Sequence, residues 1–171
     1  MLLCGVGSSN ITAPSGTPLG GYWGRDPTIG CSATPNDSLY CRVVVLHKIN
    51  NSGIKNWCCI ISLDLVGLDS STCQDIKNDI IASIEGPLTL DSSSIMICCT
   101  HTHTGPQTHR SFIGMGHVDQ IAYTKNILRQ GIVDAFQQSL KTIRPAKMYH
   151  GKTKPLINIG INRRQRTTSS D

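Results

Sequence analysis

A short apolar run, Ile95-Met96-Ile97-Cys98-Cys99, most constrains the fold of this chain. Every side chain in it is apolar, so we expect a strand buried on both faces, as the central strands of a covered sheet are. Helical patterns flank the run. Isoleucines recur at three-to-four spacing from Ile76 to Ile84 before it, and an apolar stripe extends from Ile121 to Leu140 after it. Strands that alternate with helices predict an α/β fold with right-handed crossovers.

The remaining patterns extend this prediction to a whole sheet. The β-branched residues 39–46 and the apolar residues 57–63 flank an Asn-Asn-Ser-Gly turn, which predicts a hairpin. Residues 70–72 offer N-caps for the first helix, and Asp119 offers one for the second. Residues 147–150 predict a last, more polar strand. We therefore expect a mixed β-sheet with crossover helices packed on its faces.

The amino-terminal part of the chain has a different composition. Residues 1–40 are rich in glycine, proline and serine, which predicts a long ordered loop region with at most one short strand. The 171 residues suit a single α/β domain over residues 1–171. Neither a signal peptide nor an apolar run of the roughly 18 residues that a membrane span needs is visible in the sequence. The compartment stays open.

The net charge of +5 is concentrated at the carboxyl end. Residues 1–143 carry nine basic and ten acidic side chains, whereas residues 144–171 carry seven basic side chains and Asp171. A nucleic-acid surface usually interleaves aromatic residues with its basic ones, and Tyr149 is the one aromatic residue in this stretch. We therefore expect a solvated segment and no nucleic-acid partner. Attraction of the segment to an anionic membrane surface is a weaker hypothesis.

The eight cysteines do not indicate a disulfide scaffold. Cys58-Cys59 and Cys98-Cys99 lie inside apolar runs, where cysteine behaves as a small buried hydrophobe. The C-x-x-C spacing of zinc ribbons and thioredoxin-like proteins is absent from the sequence. We expect buried thiols, and we expect none of them to act as a nucleophile.

The strongest chemical signal follows the apolar run. Thr100-His101-Thr102-His103-Thr104-Gly105-Pro106 begins where the strand ends, the edge at which open α/β sheets bind ligands. If the strand continued, residues two apart would project to one side, and both imidazoles would face one point. Paired imidazoles suit a metal ion, with zinc favoured. His101 and His103 are therefore candidate metal-site residues.

Other polar residues have two interpretations each. Asp64 closes the neighbouring strand, so it could accept the second ring N–H of a ligating histidine, or it could cap a turn. His109 and His117 follow in the next loop, either as further ligands or as exposed loop residues. His47 and His150 lie in predicted strands and are expected to be ordinary hydrogen-bonded histidines.

Several segments together resemble the amino-terminal domain of neutral/alkaline ceramidases. They are, in order, Gly5-Val6-Gly7, Asn10-Ile11-Thr12-Ala13-Pro14, Pro18-Leu19-Gly20-Gly21-Tyr22, Asp37-Ser38-Leu39-Tyr40-Cys41-Arg42, the strand that ends in Asp64, Thr100–Pro106 and Gly160-Ile161-Asn162-Arg163-Arg164. The order and spacing match along most of the chain. The resemblance implies a zinc amidase that splits ceramide, a small lipid amide, into a sphingoid base and a fatty acid. It also implies that the chain is the amino-terminal part of a longer catalytic domain.

The resemblance implies a role for each matched residue. His101 would be a zinc ligand, and His103 would lie beside the metal and contact the substrate or the activated water. Arg163 would line the active site as an anion or amide-oxygen partner, and Asn162 would contact the substrate. Zinc in such a site polarises the scissile carbonyl and lowers the pKa of its water. Members of the family are often secreted or membrane-associated.

The sequence departs from the family pattern at some positions. Asn10 stands where the family usually has an aspartate, and residues 33–36 lack a histidine that the family usually has there. The remaining zinc ligands of the family, a histidine, a glutamate and a tyrosine, are expected beyond residue 171. The alternative hypothesis is a non-catalytic α/β binding or structural domain whose histidines only hydrogen-bond the loop.

Overall fold

The computed structural model of the protein describes residues 1–22, 26, 30–49, 55–86, 88–108 and 118–154. Within them, five strands form one sheet. The strands are β1 (Leu2–Asn10), β2 (Tyr40–Ile49), β3 (Lys55–Leu63), β4 (Ile95–Cys99) and β5 (Arg144–Pro145). The α-helices are α1 (Ser70–Ala82), α2 (Val118–Tyr123) and α3 (Arg129–Lys141), with a 3-10 turn at Ser92–Ser94 and a π-helical segment at Thr124–Leu128 between α2 and α3.

The sheet is mixed, with the strand order β4-β3-β2-β1-β5. Strands β1, β2 and β3 form an antiparallel meander, and β5 pairs antiparallel with β1. Strand β4 is parallel to β3, and α1 makes the crossover between them. This topology confirms the predicted α/β fold with a mixed sheet. The antiparallel pairing of β2 with β3 agrees with the predicted hairpin, whose turn at residues 50–53 lies outside the described residues.

Helix α1 forms where the isoleucine spacing predicts it. Ile76 and Ile80 lie one turn apart and are buried against the sheet. The cap is Asp69, one residue before the predicted candidates. Its carboxylate accepts a hydrogen bond from the backbone N–H of Thr72 at 2.7 Å.

The second helical region is one continuous run with a π-helical segment in its middle. Its core-facing residues Leu128, Ile132, Ala135 and Phe136 are fully buried, as the predicted stripe requires. The stripe does not extend to Ile121, which is 45% exposed. Tyr123 is buried in that region instead, and its hydroxyl donates to the Ile11 carbonyl at 2.9 Å. A π-helical turn contains one extra residue. The residues that precede it therefore face a different side of the helix from the one that a regular 3.6-residue period predicts.

The amino-terminal segment contains more regular structure than predicted. A nine-residue strand, β1, occupies residues 2–10 and lies between β2 and β5 in the sheet, so the loop region begins only after Asn10. Its glycines have a packing role. A Cβ on Gly5 or Gly7 would run into the backbone carbonyl of Ser139 or Ala135 on α3. The glycines that suggest a loop in the sequence thus allow a helix to lie directly on a strand.

Helix α3 also covers the free edge of β1. The backbone N–H of Val6 donates to the Thr142 hydroxyl at 2.8 Å, and that hydroxyl donates to the Val6 carbonyl at 2.7 Å. The N–H of Ser8 donates to Gln138 Oε1 at 2.6 Å. The polar groups that β5 is too short to pair are therefore satisfied by side chains of the helix and its carboxyl end.

Two sequence predictions about strands are wrong. The apolar run Ile95–Cys99 forms the edge strand β4 and is not buried on both faces, since Met96 is 53% exposed and Cys98 is exposed. The predicted strand at residues 147–150 is absent from the structure, which pairs Arg144–Pro145 with β1 instead. In both cases the position of the strand depends on pairing between residues that are distant in sequence. A local sequence pattern carries no information about such pairing.

The described helices pack on one face of the sheet. Val43 and Val45 of β2 and Ile61 and Leu63 of β3 point into this core with Ile76, Ile80, Ile132 and Phe136. The opposite face carries a row of paired apolar residues across four strands, Val6–Val44–Ile60–Met96. Val6 and Met96 are 51% and 53% exposed. Each helix in the described part of the chain is too short or too polar to span a bilayer.

Candidate functional site

The candidate site lies where β3 and β4 end side by side. Leu63 pairs with Cys99 at the last register position of the two parallel strands. The chain that follows β4 then bonds to the chain that follows β3. Thr100 N–H donates to the Leu63 carbonyl at 2.9 Å, and His101 N–H donates to the Leu65 carbonyl at 3.0 Å. The predicted strand-end position of the histidine motif is therefore the one that the fold produces.

His101 has an unusual backbone conformation. Its φ of 63° is in the left-handed region, which non-glycine residues rarely adopt. Its ring Nδ1 lies 2.8 Å from the Val66 carbonyl oxygen. A carbonyl can only accept a hydrogen bond, so Nδ1 carries the proton in the neutral ring, and Nε2 keeps its lone pair. This tautomer presents Nε2 as a ligand atom while the main chain holds the ring in place.

His103 lies beside His101, although the strand does not continue to it. The two ring centroids are 4.9 Å apart and the ring planes are inclined by 65°. The left-handed turn at His101, and not the two-residue period of a strand, brings the rings together. The His103 ring also meets the Tyr22 ring, at a centroid distance of 4.9 Å and an angle of 73°.

The two histidines open onto a cleft of about 430 Å³. Its walls come from the segment after β3, the histidine motif and the glycine-rich segment of the amino-terminal loop. The lining residues are Gly21, Val66, Gly67, Leu68, His101, His103 and Gln107. The Thr108 hydroxyl donates to the Gly67 carbonyl at 2.6 Å and ties two of these walls together. The volume lies within the range of small-molecule sites.

Asp64 makes other contacts than the predicted one. Its Oδ2 accepts from Tyr40 N–H at 3.0 Å and from Arg42 Nη1 at 2.9 Å. These bonds tie the end of β3 to the start of β2. The ring Nδ1 of His101 bonds to the Val66 carbonyl, which takes the acceptor role that the sequence suggested for the Asp64 carboxylate. A role of Asp64 in a metal site stays a prediction.

Some predicted residues lie outside the described residues. They are Asn162, Arg163, His109 and His117. Within the described ranges, no group of three or more His, Cys, Asp or Glu side chains could hold a metal ion, and His101 with His103 supplies two imidazoles. A catalytic zinc site usually has three protein ligands.

The cysteines fit the sequence expectation in part. Cys59 is buried and Cys99 is half-buried, whereas Cys58 and Cys98 are exposed. Burial raises the pKa of Cys41 and of Cys59 to about 12, and that of Cys99 to about 11. Because the thiolate is the nucleophile, burial disfavours the reactive form of these three thiols.

No sequence pattern predicts Val66, Gly21 or Tyr22 as site residues. Val66 contributes a main-chain carbonyl, which leaves no signature in a sequence. Gly21 and Tyr22 lie about 80 positions before the histidines. Their adjacent glycines, Gly20-Gly21, were the available signal, because a glycine pair often marks a close approach of two backbones.

Comparisons with known proteins relate the chain to ceramidases. No protein-family profile matches it. Over 87 residues, half of the chain, it is 31% identical to neutral ceramidase B of Dictyostelium discoideum, of which it covers 12%. Its fold matches the neutral ceramidase of Pseudomonas aeruginosa with a TM-score of 0.64 and 19% identity, over 84% of this chain and 22% of that one. A ceramidase complexed with C2 gives the same TM-score and coverage, with 20% identity.

These matches are partial on the side of the known proteins. The chain spans 12% of the length of the curated relative and 22% of each solved chain. The chain is thus similar to a neutral ceramidase in sequence over half of its length, and it shares the fold of solved ceramidases over most of it.

Proposed function

We propose that the chain forms one wall of the active site of a zinc-dependent amide hydrolase that acts on ceramide. The observation that carries the proposal is the His101 ring, whose Nδ1 is held by the Val66 carbonyl at 2.8 Å so that Nε2 is available to a ligand. The similarity to neutral ceramidase B, a protein named for ceramide hydrolysis, supports the substrate class. We further propose that residues 1–171 are one α/β domain and the amino-terminal part of a longer catalytic domain.

The donor atoms fit zinc. Neutral imidazole nitrogens are common zinc ligands, and a ring oriented by a main-chain carbonyl is the usual outer arrangement of such a ligand. Zinc, when bound, polarises an amide carbonyl and acidifies a water molecule. His101 would bind the metal, and the remaining ligands are expected beyond residue 171. Because two imidazoles are fewer than a catalytic site needs, we expect the 171-residue chain to bind zinc more weakly than a complete site does.

The other residues of the proposal act on the substrate. His103, whose ring centroid lies 4.9 Å from that of His101, would contact the amide or accept a proton from the attacking water. Arg163 would stabilise negative charge on the amide oxygen, and Asn162 would bind the substrate. The cleft beside the histidines, about 430 Å³ in volume, would hold the atoms next to the scissile bond.

Zinc affinity tests the metal assignment. We would measure it by competition with a chromogenic chelator for the unaltered chain, His101→Ala and His150→Ala. His150 is exposed and lies outside the cleft, so it is a matched control. We expect His101→Ala to lose at least about tenfold in affinity and His150→Ala to lose none. Equal affinities in all three proteins would contradict the ligand role of His101.

Hydrolysis tests the substrate assignment. Release of fatty acid from N-acylsphingosine would be followed with the protein at the full length that its gene encodes, with and without a zinc chelator. We expect activity that the chelator abolishes and that added zinc restores, and we expect His101→Ala to be inactive. Zinc binding without hydrolysis of any N-acylated sphingoid base would favour the alternative of a non-catalytic binding domain.

A further inference from the structure

The glycine-rich segment Pro18–Tyr22 lies directly against the segment that carries the histidines. Gln107 N–H donates to the Pro18 carbonyl at 2.8 Å, and Gly20 N–H donates to the Gly105 carbonyl at 3.0 Å. Leu19 and Pro106 form an antiparallel bridge between these two bonds. The two segments therefore form a short two-stranded clamp at the mouth of the cleft, although more than 80 residues separate them in sequence.

The clamp is close enough to require glycine. A Cβ on Gly20 would clash with the side chain of Gln107 and would lie 3.0 Å from its Cα. A Cβ on Gly21 would lie 2.8 Å from Cγ of His103 and 3.0 Å from its Cα and Cβ. Gly21 also has a φ of +96°, which disfavours any side chain there. The backbone of Gly21 is thus one wall of the space that the His103 ring occupies.

Tyr22 also contacts the His103 ring. The His103 ring has two aromatic neighbours, Tyr22 and His101, each at a centroid distance of 4.9 Å. Both contacts are steeply inclined, at 73° and 65°, which is the edge-to-face geometry that aromatic pairs favour. Rotation of His103 about its Cα–Cβ bond would break the contact with Tyr22 and move the ring relative to His101.

We propose that Gly21 and Tyr22 are positioning residues that fix the orientation of the His103 side chain beside His101. One part of the inference rests on the proposed function: that this orientation aligns His103 with the metal and the substrate amide. The placement itself rests on the packing at Gly21 and the ring contact at Tyr22. The segment Pro18–Tyr22 would thus orient a side chain of the candidate site in addition to connecting β1 to β2.

A matched pair of glycines separates this role from backbone strain. Gly16 lies in the same loop with a φ of +85°, but a Cβ there would have nothing within 4 Å. Gly16→Ala and Gly21→Ala thus share the strain of a left-handed alanine, and Gly21→Ala alone also pushes on the His103 ring. Tyr22→Phe keeps the ring contact, whereas Tyr22→Leu removes it. The second pair keeps the inference testable if Gly21→Ala does not fold.

The experiment measures nuclear Overhauser contacts between the His101 and His103 rings by NMR of the chain with labelled histidine, at one pH, with and without Zn²⁺. Removal of the Tyr22 ring changes the chemical shift of His103 even when that ring stays in place, so the contact between the two histidine rings is the readout. We expect Gly21→Ala and Tyr22→Leu to weaken this contact and to weaken zinc binding about tenfold. We expect Gly16→Ala and Tyr22→Phe to retain it. An undiminished contact in both Gly21→Ala and Tyr22→Leu would overturn the inference. If Zn²⁺ leaves the His101 and His103 signals of the unaltered chain unchanged while Gly21→Ala still weakens the contact, the proposed function fails and the positioning role stands.

Discussion

At the scale of single residues, His101 combines backbone strain with a chemically useful ring. A left-handed non-glycine residue costs stability, and such residues concentrate at functional sites because the surrounding structure holds them there. Two main-chain bonds hold His101, one from its own N–H to Leu65 and one from its ring to Val66. The motif Thr100–Pro106 predicts where the histidines lie, but the turn that joins their rings depends on residues 65–66, which precede them by about 35 positions.

The strain at His101 is measurable with two variants. Both His101→Gly and His101→Ala remove the ring and its bond to Val66. Glycine accepts a φ of 63° without penalty, whereas alanine does not. We therefore expect the free energy of unfolding of His101→Gly to exceed that of His101→Ala by about 1 kcal/mol. Urea denaturation followed by circular dichroism gives both values. Equal stabilities would show that the backbone relaxes to an ordinary conformation once the ring is removed.

At the scale of elements, local patterns predict those pieces whose neighbours are close in sequence. The β2–β3 hairpin and α1 are such pieces, and the structure contains them. The pieces missed or misplaced in the sequence depend on distant partners. Strand β1 contains Gly5 and Gly7, whose role is visible only in their contact with α3. Strand β4 is apolar throughout but lies at an edge of the sheet. The apolar composition of β4 thus predicts a strand, but it does not predict whether that strand lies at the centre or at the edge of the sheet.

The close packing of α3 on β1 predicts a strong effect at Gly7. A Cβ there would meet the backbone of Ala135, which can move only if the helix moves. We expect Gly7→Ala to destabilise the protein by about 1 to 3 kcal/mol. Gly67→Ala is the control, because a Cβ at Gly67 would have nothing within 4 Å and its φ is not positive. Thermal unfolding of both variants makes the comparison, and a similar loss in both would contradict tight contact between helix and strand.

Neighbouring residues of β3 probe the two faces of the sheet. Ile61 is fully buried under the helices, whereas Ile60 belongs to the half-exposed row on the opposite face. We expect Ile61→Ala to cost about 2 to 5 kcal/mol of stability, because it leaves a cavity. We expect Ile60→Ala to cost about 1 kcal/mol. Chemical denaturation of the two variants measures both losses of stability. A loss for Ile60→Ala as large as that for Ile61→Ala would mean that the opposite face of the sheet is also covered in solution.

At the scale of the whole molecule, the core contains groups that resist ionisation. Burial raises the pKa of Cys41 and of Cys59 from 9.0 to about 12 in the folded protein. Below pH 9 these thiols are protonated in both states, so their contribution to stability is complete. As the pH rises from about 9 toward 12, the unfolded chain ionises while the folded chain does not, and the free energy of unfolding falls.

This alkaline loss of stability has a defined size and control. Each thiol contributes a slope of up to about 1.4 kcal/mol per pH unit in that window. The double variant Cys58→Ala/Cys98→Ala is the control, because it alters exposed thiols. Between pH 8.5 and pH 11, we expect the free energy of unfolding to fall less in Cys41→Ala/Cys59→Ala than in this control. The difference between the two slopes is expected to be on the order of the slope that the thiols contribute. Urea titrations across the pH range measure both. Parallel pH profiles would show that burial of the two thiols does not set the alkaline limit.

The closure of the β1 edge by α3 has a consequence for the time at which the chain can fold. The hydrogen bonds of Val6 and Ser8 reach partners 136 and 130 residues away, and the glycines of β1 face the same helix. During synthesis, β1 can pair with β2 early, but its other edge and one face stay open until the ribosome has released residues up to Thr142. Contacts of such long range are made late and slow the final step. Of the five strands of this sheet, the one synthesised first is therefore among the last to be completed.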